Sequence, residues 1–302
     1  LLSGFREKGV HFDLKDLQIF VAIAETGSIA GAAAREHLVA SAVSKRLAEL
    51  EEAMTVELVQ RGARGVTLSP AGLALLAHAR AVLNEAERLA DGMAGFAAGE
   101  RGLVRVAANH SAIVQFLPAD LATYRAAQPD VRVELDECLS EAVANRVLEH
   151  AADVGVLAGL VEADELEVWP YRVDQLALLL PALHPLAVHA SLPFAAALAE
   201  PLVGMTHQSD LSDRLARAAA EAGQTLKIQV RVGSFDAVCA MVAAGMGLAV
   251  TPAQAVRPFT QALGLAVVPL SDSWAHRQLY LCLRKNTPVQ APARRFISHL
   301  LR

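Results

Sequence analysis

Apolar positions in the first seventy residues recur at helical spacing. Leu17, Phe20, Val21 and Ala24 lie on one face of a helix over Asp16–Glu25. Gly27-Ser28 stops that helix, and Ser28 is placed to cap a short alanine-rich one over Ile29–Glu36. His37–Ala40 is a break. Val43, Leu47, Leu50 and Met54 then mark a third helix over Ser41–Met54. Helix, short turn, helix is the layout of a helix-turn-helix. Beyond it, Arg61-Gly62-Ala63-Arg64-Gly65 followed by Val66-Thr67-Leu68 predicts a β-hairpin with a basic tip, a wing.

Ser69-Pro70 opens a long helix that runs to Ala97. Leu75, Ala79, Val82, Ala86, Leu89, Met93 and Phe96 alternate steps of four and three. That is the seam of a coiled coil, over a rod roughly 40 Å long, and it calls for a partner helix. The competing expectation is an amphipathic helix packed on its own domain.

After a linker at Gly99–Gly102, strands alternate with helices. Strands are expected at Leu103–Ala107, Val131–Leu135, Val154–Leu157, Leu176–Leu180, Leu202–Met205, Ile228–Val232, Leu248–Thr251 and Leu279–Arg284. Helices are expected at Ser111–Ala126, Ser140–His150, Asp210–Ala222 and Ser234–Gly245. Alternation implies α/β lobes with parallel sheets, and two such runs imply a cleft between them. The expected division is 12–70 for the helix-turn-helix and wing, 71–98 for the linker helix, and 103–302 for the two-lobed part. Lobe I takes about 103–170 with 268–302, and lobe II about 171–267.

Composition narrows the function. The 302 residues carry a net charge of −5, so any nucleic-acid site must be local. Three scattered cysteines, Cys138, Cys239 and Cys282, form neither a zinc motif nor a disulfide framework. There is no membrane-length apolar run and no signal-peptide order at the start, so a cytoplasmic protein is expected. Phosphate-loop, dinucleotide, zincin and nucleophile-elbow motifs are all missing, and no histidines stand at metal-ligand spacing. No enzyme activity, metal or cofactor is therefore expected. Gly245-Met246-Gly247 follows a helix and reads as a C-cap turn. Cys239, one turn inside its helix, reads as packing and not as a redox sensor.

A helix that enters the major groove needs short polar residues and cations in its N-terminal half. Ser41, Ser44, Lys45 and Arg46 supply them: the two cations can reach phosphates or guanine edges. Arg61 and Arg64 in the wing can hold flanking phosphates. The plain alternative is that Lys45 and Arg46 only face solvent.

Taken together, the stretch Phe20–Gly72 resembles the LysR-type transcriptional regulators. The resemblance rests on Phe20-Val21-Ala22, Glu25-Thr26-Gly27-Ser28-Ile29, Ala32-Ala33, Ser41-Ala42-Val43-Ser44-Lys45-Arg46-Leu47, Leu50-Glu51-Glu52, Leu58, Arg61 and Val66–Gly72. Weaker points follow at Leu117-Pro118, Pro129-Asp130-Val131, Asp153–Val156 and Val242–Ala249. It implies a winged helix-turn-helix, a dimerising linker helix and a two-lobed effector domain of the periplasmic-binding-protein (type II) kind. It also implies tetramers, double-stranded operator DNA and a small-molecule effector as partners, and no membrane. The chain departs from the family pattern at four places. Ala40 replaces a base-reading Gln, Val39 a capping Ser or Thr, Glu36 a Leu and Thr55 a Gly. Ser28 and Ala40 join Ser41, Ser44, Lys45, Arg46, Arg61 and Arg64 as the expected DNA-facing set.

Ligand sites in two-lobed α/β proteins form where strand C-termini meet helix N-termini. Three junctions qualify: Asn109-His110-Ser111, Thr206-His207-Gln208-Ser209 and Ser234-Phe235-Asp236. The expected effector set is Asn109, His110, Ser111, Thr206, His207, Ser234, Phe235 and Asp236. A ligand carboxylate would be held by Ser111 and nearby N–H groups, with His110 or His207 as polar partners. Ordinary capping by Ser111, Ser209 and Ser234 is the simpler reading of the same residues. Asp236 opposes an anionic ligand unless it caps its own helix. The competing function is a two-lobed binding module or enzyme carrying an unrelated helical domain.

Overall fold

The computed structural model describes residues 12–62, 65–97, 102–159, 163–206, 210–287 and 291–302. The chain packs as two compact units, Leu1–Ala98 with Glu149–Ala151, and Gly99–Leu148 with Ala152–Arg302.

In the first unit α1 spans Leu14–Thr26. It opens on a capping box in which Asp13 and Asp16 each accept the other's backbone N–H at 2.9 Å. Gly27, at φ 64°, ends it. Helix α2 spans Ile29–Arg35, and the Ser28 hydroxyl caps it by accepting the Gly31 N–H at 2.9 Å. Helix α3 spans Ala40–Met54, one residue earlier than expected. Its N-cap is Val39, which offers no side-chain acceptor, so Ser41 lies in the first turn and caps nothing. Strands β1, Val59–Gly62, and β2, Gly65–Leu68, form the antiparallel hairpin of the wing.

Helix α4 spans Pro70–Ala97, and the Ser69 hydroxyl caps it on the Gly72 N–H at 3.0 Å. Phe20, Ile23, Val43, Leu47, Leu50 and Leu58 form the core of this unit, and α4 closes it with Leu75, Leu76, Ala79 and Leu83. The expected seam is thereby divided. Leu75 and Ala79 are used within the unit, whereas Val82 (46% exposed), Leu89 (71%) and Met93 (59%) face outward. The Phe96 side chain and the 98–101 linker lie outside the described residues.

The second unit opens with β3, Gly102–Ala108, then α5, His110–Gln115, and α6, Leu117–Ala127. The single helix expected over 111–126 is broken at Phe116. Pro118 sits in the first turn of α6, where its missing N–H costs nothing and its ring bars continuation from α5. Next come β4 (Val131–Glu137), α7 (Ser140–Leu148), β5 (Val154–Ala158) and β6 (Leu166–Pro181). Strand β7 (Leu202–Met205), α8 (Asp210–Glu221), β8 (Ile228–Val232) and α9 (Phe235–Ala243) follow. The chain closes through β9 (Ala249–Pro252), α10 (Ala253–Leu263), β10 (Leu265–Pro269), β11 (His276–Arg284) and α11 (Pro292–Leu300).

The seven-stranded sheet is mixed, not purely parallel as expected. Strand β3 runs parallel to β4 and β5, while β11 is antiparallel to both β5 and β6. Strand β6 traverses both lobes. Its Leu166–Gln175 stretch pairs with β11, and its Leu176–Pro181 stretch pairs with β9 and β10. The chain crosses into lobe II at Gln175/Leu176 and is back on the first sheet at His276. Strands β7 and β8 pair in parallel and join lobe II where the Val203 N–H donates to the Leu248 carbonyl at 2.7 Å. Close approach there demands Gly247. A Cβ at that position would lie 2.4 Å from the Pro201 carbonyl oxygen. Lobe I is filled by Val104, Val106, Val156, Leu281, Tyr124 and Phe296, and lobe II by Leu176, Leu178, Leu180, Phe194, Leu211 and Leu215. Among the described residues no helix is long and apolar enough to cross a membrane.

Candidate functional site

The first half of α3 presents Ala40, Ser41 and Lys45 to solvent, with Ser44 half-buried. Lys45 is 76% exposed, and its contact is Glu49, one turn on, at 3.6 Å. Such a surface pair is weak and leaves the ammonium available. Arg46 behaves differently from expectation. Its guanidinium lies 2.6 Å from Asp16 and 3.5 Å from Asp13, at the start of α1. The hydrogen bond to Asp16 raises its affinity for the proton further. Arg46 therefore ties α3 to α1, and Lys45 is the exposed cation of this face. Ser28 is occupied as the cap of α2. Arg61 lies on β1 opposite Val66, with its side chain outside the described residues, as is all of Arg64.

Two departures from the family pattern have local partners or costs. Glu36 accepts from Lys15 at 2.7 Å, so the charge that replaces an apolar residue is paired. Thr55 ends α3 at φ 58°, a left-handed conformation that a β-branched residue adopts only under strain.

In the second unit two of the three expected junctions meet across the lobes. The His110 ring lies 4.8 Å from that of Phe235, and its Nδ1 is 2.8 Å from Glu137. Asn109 is the cap of α5, accepting the Ala112 N–H at 2.9 Å, so Ser111 is not. The Ser111 hydroxyl instead accepts from Arg277 Nη2 at 3.1 Å. Ser234 sits at the N-cap position of α9 without a side-chain cap bond. It donates to Asp236, and this bond holds the Asp236 carboxyl below the usual range against the opposing cost of burial. N–H groups of Asp236 and Ala237 also help, as does nearby His110. Asp236 thus serves its own helix. The Thr206 N–H donates to the Val232 carbonyl at 2.9 Å, next to the turn that carries Ser234. His207, Gln208 and Ser209 lie outside the described residues. Burial pushes the Cys239 thiol up to about 11, in keeping with a packing role.

The pattern along the chain did not single out a buried ion pair at this junction. Arg277 on β11 and Asp174 on β6 are register partners with side chains only 3% and 0% exposed, and Arg277 Nη2 donates to Asp174 Oδ2. Gln115 of α5 reaches the same carboxylate at 3.4 Å. Arg277 Nη1 faces Asp210, the first residue of α8, at 3.7 Å, and Arg214 Nε donates to both Asp210 oxygens at 2.8 and 3.0 Å. Among the described residues, Arg277 Nε and Asp174 Oδ1 have no hydrogen-bond partner. The one local signal was a charge inside each apolar strand, Val173-Asp174-Gln175-Leu176 and Gln278-Leu279 preceded by Arg277. No group of three or more potential metal ligands exists among the described residues.

A winged helix-turn-helix followed by a long helix and a two-lobed α/β unit is the layout of a DNA-binding transcriptional regulator with a substrate-binding domain. Residues 14–73 match the family model "Bacterial regulatory helix-turn-helix protein, lysR family", and residues 97–302 match "LysR substrate binding domain". The chain belongs to the LysR family and is a transcriptional regulator, not an enzyme. It is 30% identical over 266 residues to the HTH-type transcriptional regulator YofA of Bacillus velezensis, covering 86% of this chain and 87% of that one. It is 26% identical over 298 residues to a probable RuBisCO transcriptional regulator of Synechocystis sp., covering 97% and 86%. Among solved structures, CbnR, a LysR family transcriptional regulator, superposes with a TM-score of 0.67 at 23% identity, covering 96% of this chain and 98% of that one. A full-length OxyR variant from Pseudomonas aeruginosa gives 0.62 at 22% identity, covering 96% and 93%.

Proposed function

We propose that this regulator grips operator DNA with the exposed first half of α3 and the wing, and senses a small carboxylate-bearing metabolite in the cleft between its lobes. Lys45, with Ser41 and Ser44, faces the major groove; Arg61 and Arg64 hold flanking phosphates; Ala40 leaves a base unread that a longer side chain would contact. Val82, Leu89 and Met93 of α4 pair with a second chain, placing two recognition helices on a two-fold site, and two such dimers form a tetramer in the cytoplasm. CbnR, which shares the fold, has a structure as full-length protein with its target DNA, which supports the DNA reading.

One observation carries the carboxylate. Arg277, a pure hydrogen-bond donor, is buried directly behind Ser111 at the lobe junction. Asp236, the group that would repel an anion, is engaged by Ser234 and its own helix start. Thermal melting of the full chain with a panel of small carboxylates and their neutral amides tests this. A ligand that binds only the folded protein raises its melting temperature. The expected hit is a carboxylate whose amide is inert and which changes operator retardation. Equal shifts from acid and amide would refute the carboxylate.

A further inference from the structure

We infer that Asp210 is an internal stand-in for the effector's carboxylate: it occupies the lobe II side of Arg277 and is exchanged for the ligand on binding. The inference rests on the carboxylate reading above and adds what the ligand must displace.

Arg277 is surrounded unevenly. Toward lobe I its Nη2 is committed to Asp174 and Ser111. Toward lobe II its Nη1 meets, among the described residues, only the Asp210 carboxylate, at 3.7 Å, too long for a hydrogen bond. Its Nε, in a side chain 3% exposed, has no partner among the described residues. A buried donor left unpaired is costly, so the site has unused capacity for an acceptor.

Asp210 is built to let go. Arg214, one turn along α8, holds both its oxygens, so leaving Arg277 forfeits one long contact and keeps two short ones. An incoming carboxylate would replace that long contact with charge-assisted hydrogen bonds. Like-charge repulsion favours the exchange. A ligand carboxylate against Arg277 Nη1 would lie beside the Asp210 carboxylate, and withdrawal of Asp210 onto Arg214 lowers that repulsion. Because Asp210 belongs to lobe II and Ser111 to lobe I, the swap changes what joins the lobes, giving a ligand differential contacts between two arrangements.

The test titrates benzoate and succinate, with benzamide and succinamide as neutral controls, into the full-length protein and into Asp210→Asn. Removal of the competing carboxylate should tighten carboxylate binding roughly tenfold, since a ligand no longer works against an occupied state. Amide binding should not change. Arg214→Gln frees Asp210 to lie closer to Arg277 and should weaken carboxylate binding. Melting curves without ligand establish that both variants fold. Unchanged or weaker carboxylate affinity in a folded Asp210→Asn overturns the inference, as does tighter binding in Arg214→Gln or no binding of either acid to any of the proteins. If the acids bind the wild type and their amides do not, yet Asp210→Asn alters nothing, the inference falls while the carboxylate reading stands. Equal binding of acid and amide removes both.

Discussion

Arg277 and Asp174 face each other across the register of β11 and β6, both buried, at the end of the lobe I sheet where β6 passes into lobe II. A buried ion pair of this kind is poor evidence of net stability, because desolvating two charges offsets their attraction. Removal of one partner is another matter, since it strands the other charge. Arg277→Ala or Asp174→Ala alone should destabilise the full chain by about 3–5 kcal/mol. The double substitution should cost clearly less than the sum, with a coupling of about 2 kcal/mol. Urea unfolding of the four proteins measures this. Additive losses would show that Ser111, Gln115 and Asp210 compensate each charge separately.

Thr55 closes α3 in the left-handed region that glycine tolerates and a β-branched residue resists. Among the described residues its hydroxyl makes only a local bond, to the Met54 carbonyl at 2.7 Å. Relief of strain, of order 1–3 kcal/mol, should outweigh the extra freedom glycine gives the unfolded chain, about 0.4–1 kcal/mol. Thr55→Gly should therefore raise stability by about 1 kcal/mol, read as a higher melting temperature of the full chain. A lower one would mean that the Thr55 side chain supplies more than its φ costs.

The chain pattern revealed what is periodic and local. The steps of Leu17–Ala24 and Val43–Met54 determined two helices because each buries one face in the core of the first unit. The first half of β6 escaped notice, since Trp169-Pro170-Tyr171-Arg172 mixes aromatic, proline and charge, and its partners lie over a hundred residues away on β11. Helix α10 was hidden by the Pro258 inside it. The candidate site followed the same rule. Local pattern marked the strand-to-helix junctions that carry His110, Ser111 and Phe235. Arg277 acquires its meaning only through Asp174, 103 residues earlier, and Ser111, 166 residues earlier. Arg46 looked like Lys45 in the sequence, and the acceptors that distinguish it sit 30 and 33 residues back.

Val82, Leu89 and Met93 form an apolar stripe on α4 that its own unit leaves uncovered. Replacing Val82 and Leu89 with Asp would put charge into any helix pairing made by that stripe. Sedimentation should then report a smaller assembly, with operator affinity reduced because two half-sites are no longer linked. Unchanged mass and unchanged binding would show that the stripe does not join chains. Leu75 and Ala79 are poor choices for this test, because they also hold the first unit together.

Lys45 and Arg46 are neighbours with different surroundings, and their replacement should separate contact from positioning. Lys45, exposed and weakly paired with Glu49, is free to neutralise a phosphate or read a base. Lys45→Ala should weaken operator binding. If the contact is to phosphate, the loss is similar on all sequences and the slope of log affinity against log salt falls by about one. If it reads a base, the loss is about 1–3 kcal/mol and confined to one position of the operator. Arg46 acts through Asp16 and Asp13, so Arg46→Ala should lower affinity by misplacing α3, with the salt slope nearly unchanged. Asp16→Ala should then reproduce the Arg46→Ala defect, and the double variant should be little worse than either single one. Asp16 also belongs to the capping box of α1, so melting curves of each variant are needed beside the retardation series. A salt slope that drops in Arg46→Ala but not in Asp16→Ala would place the Arg46 guanidinium on the DNA, and the clamp to α1 would then be a contact exchanged on binding.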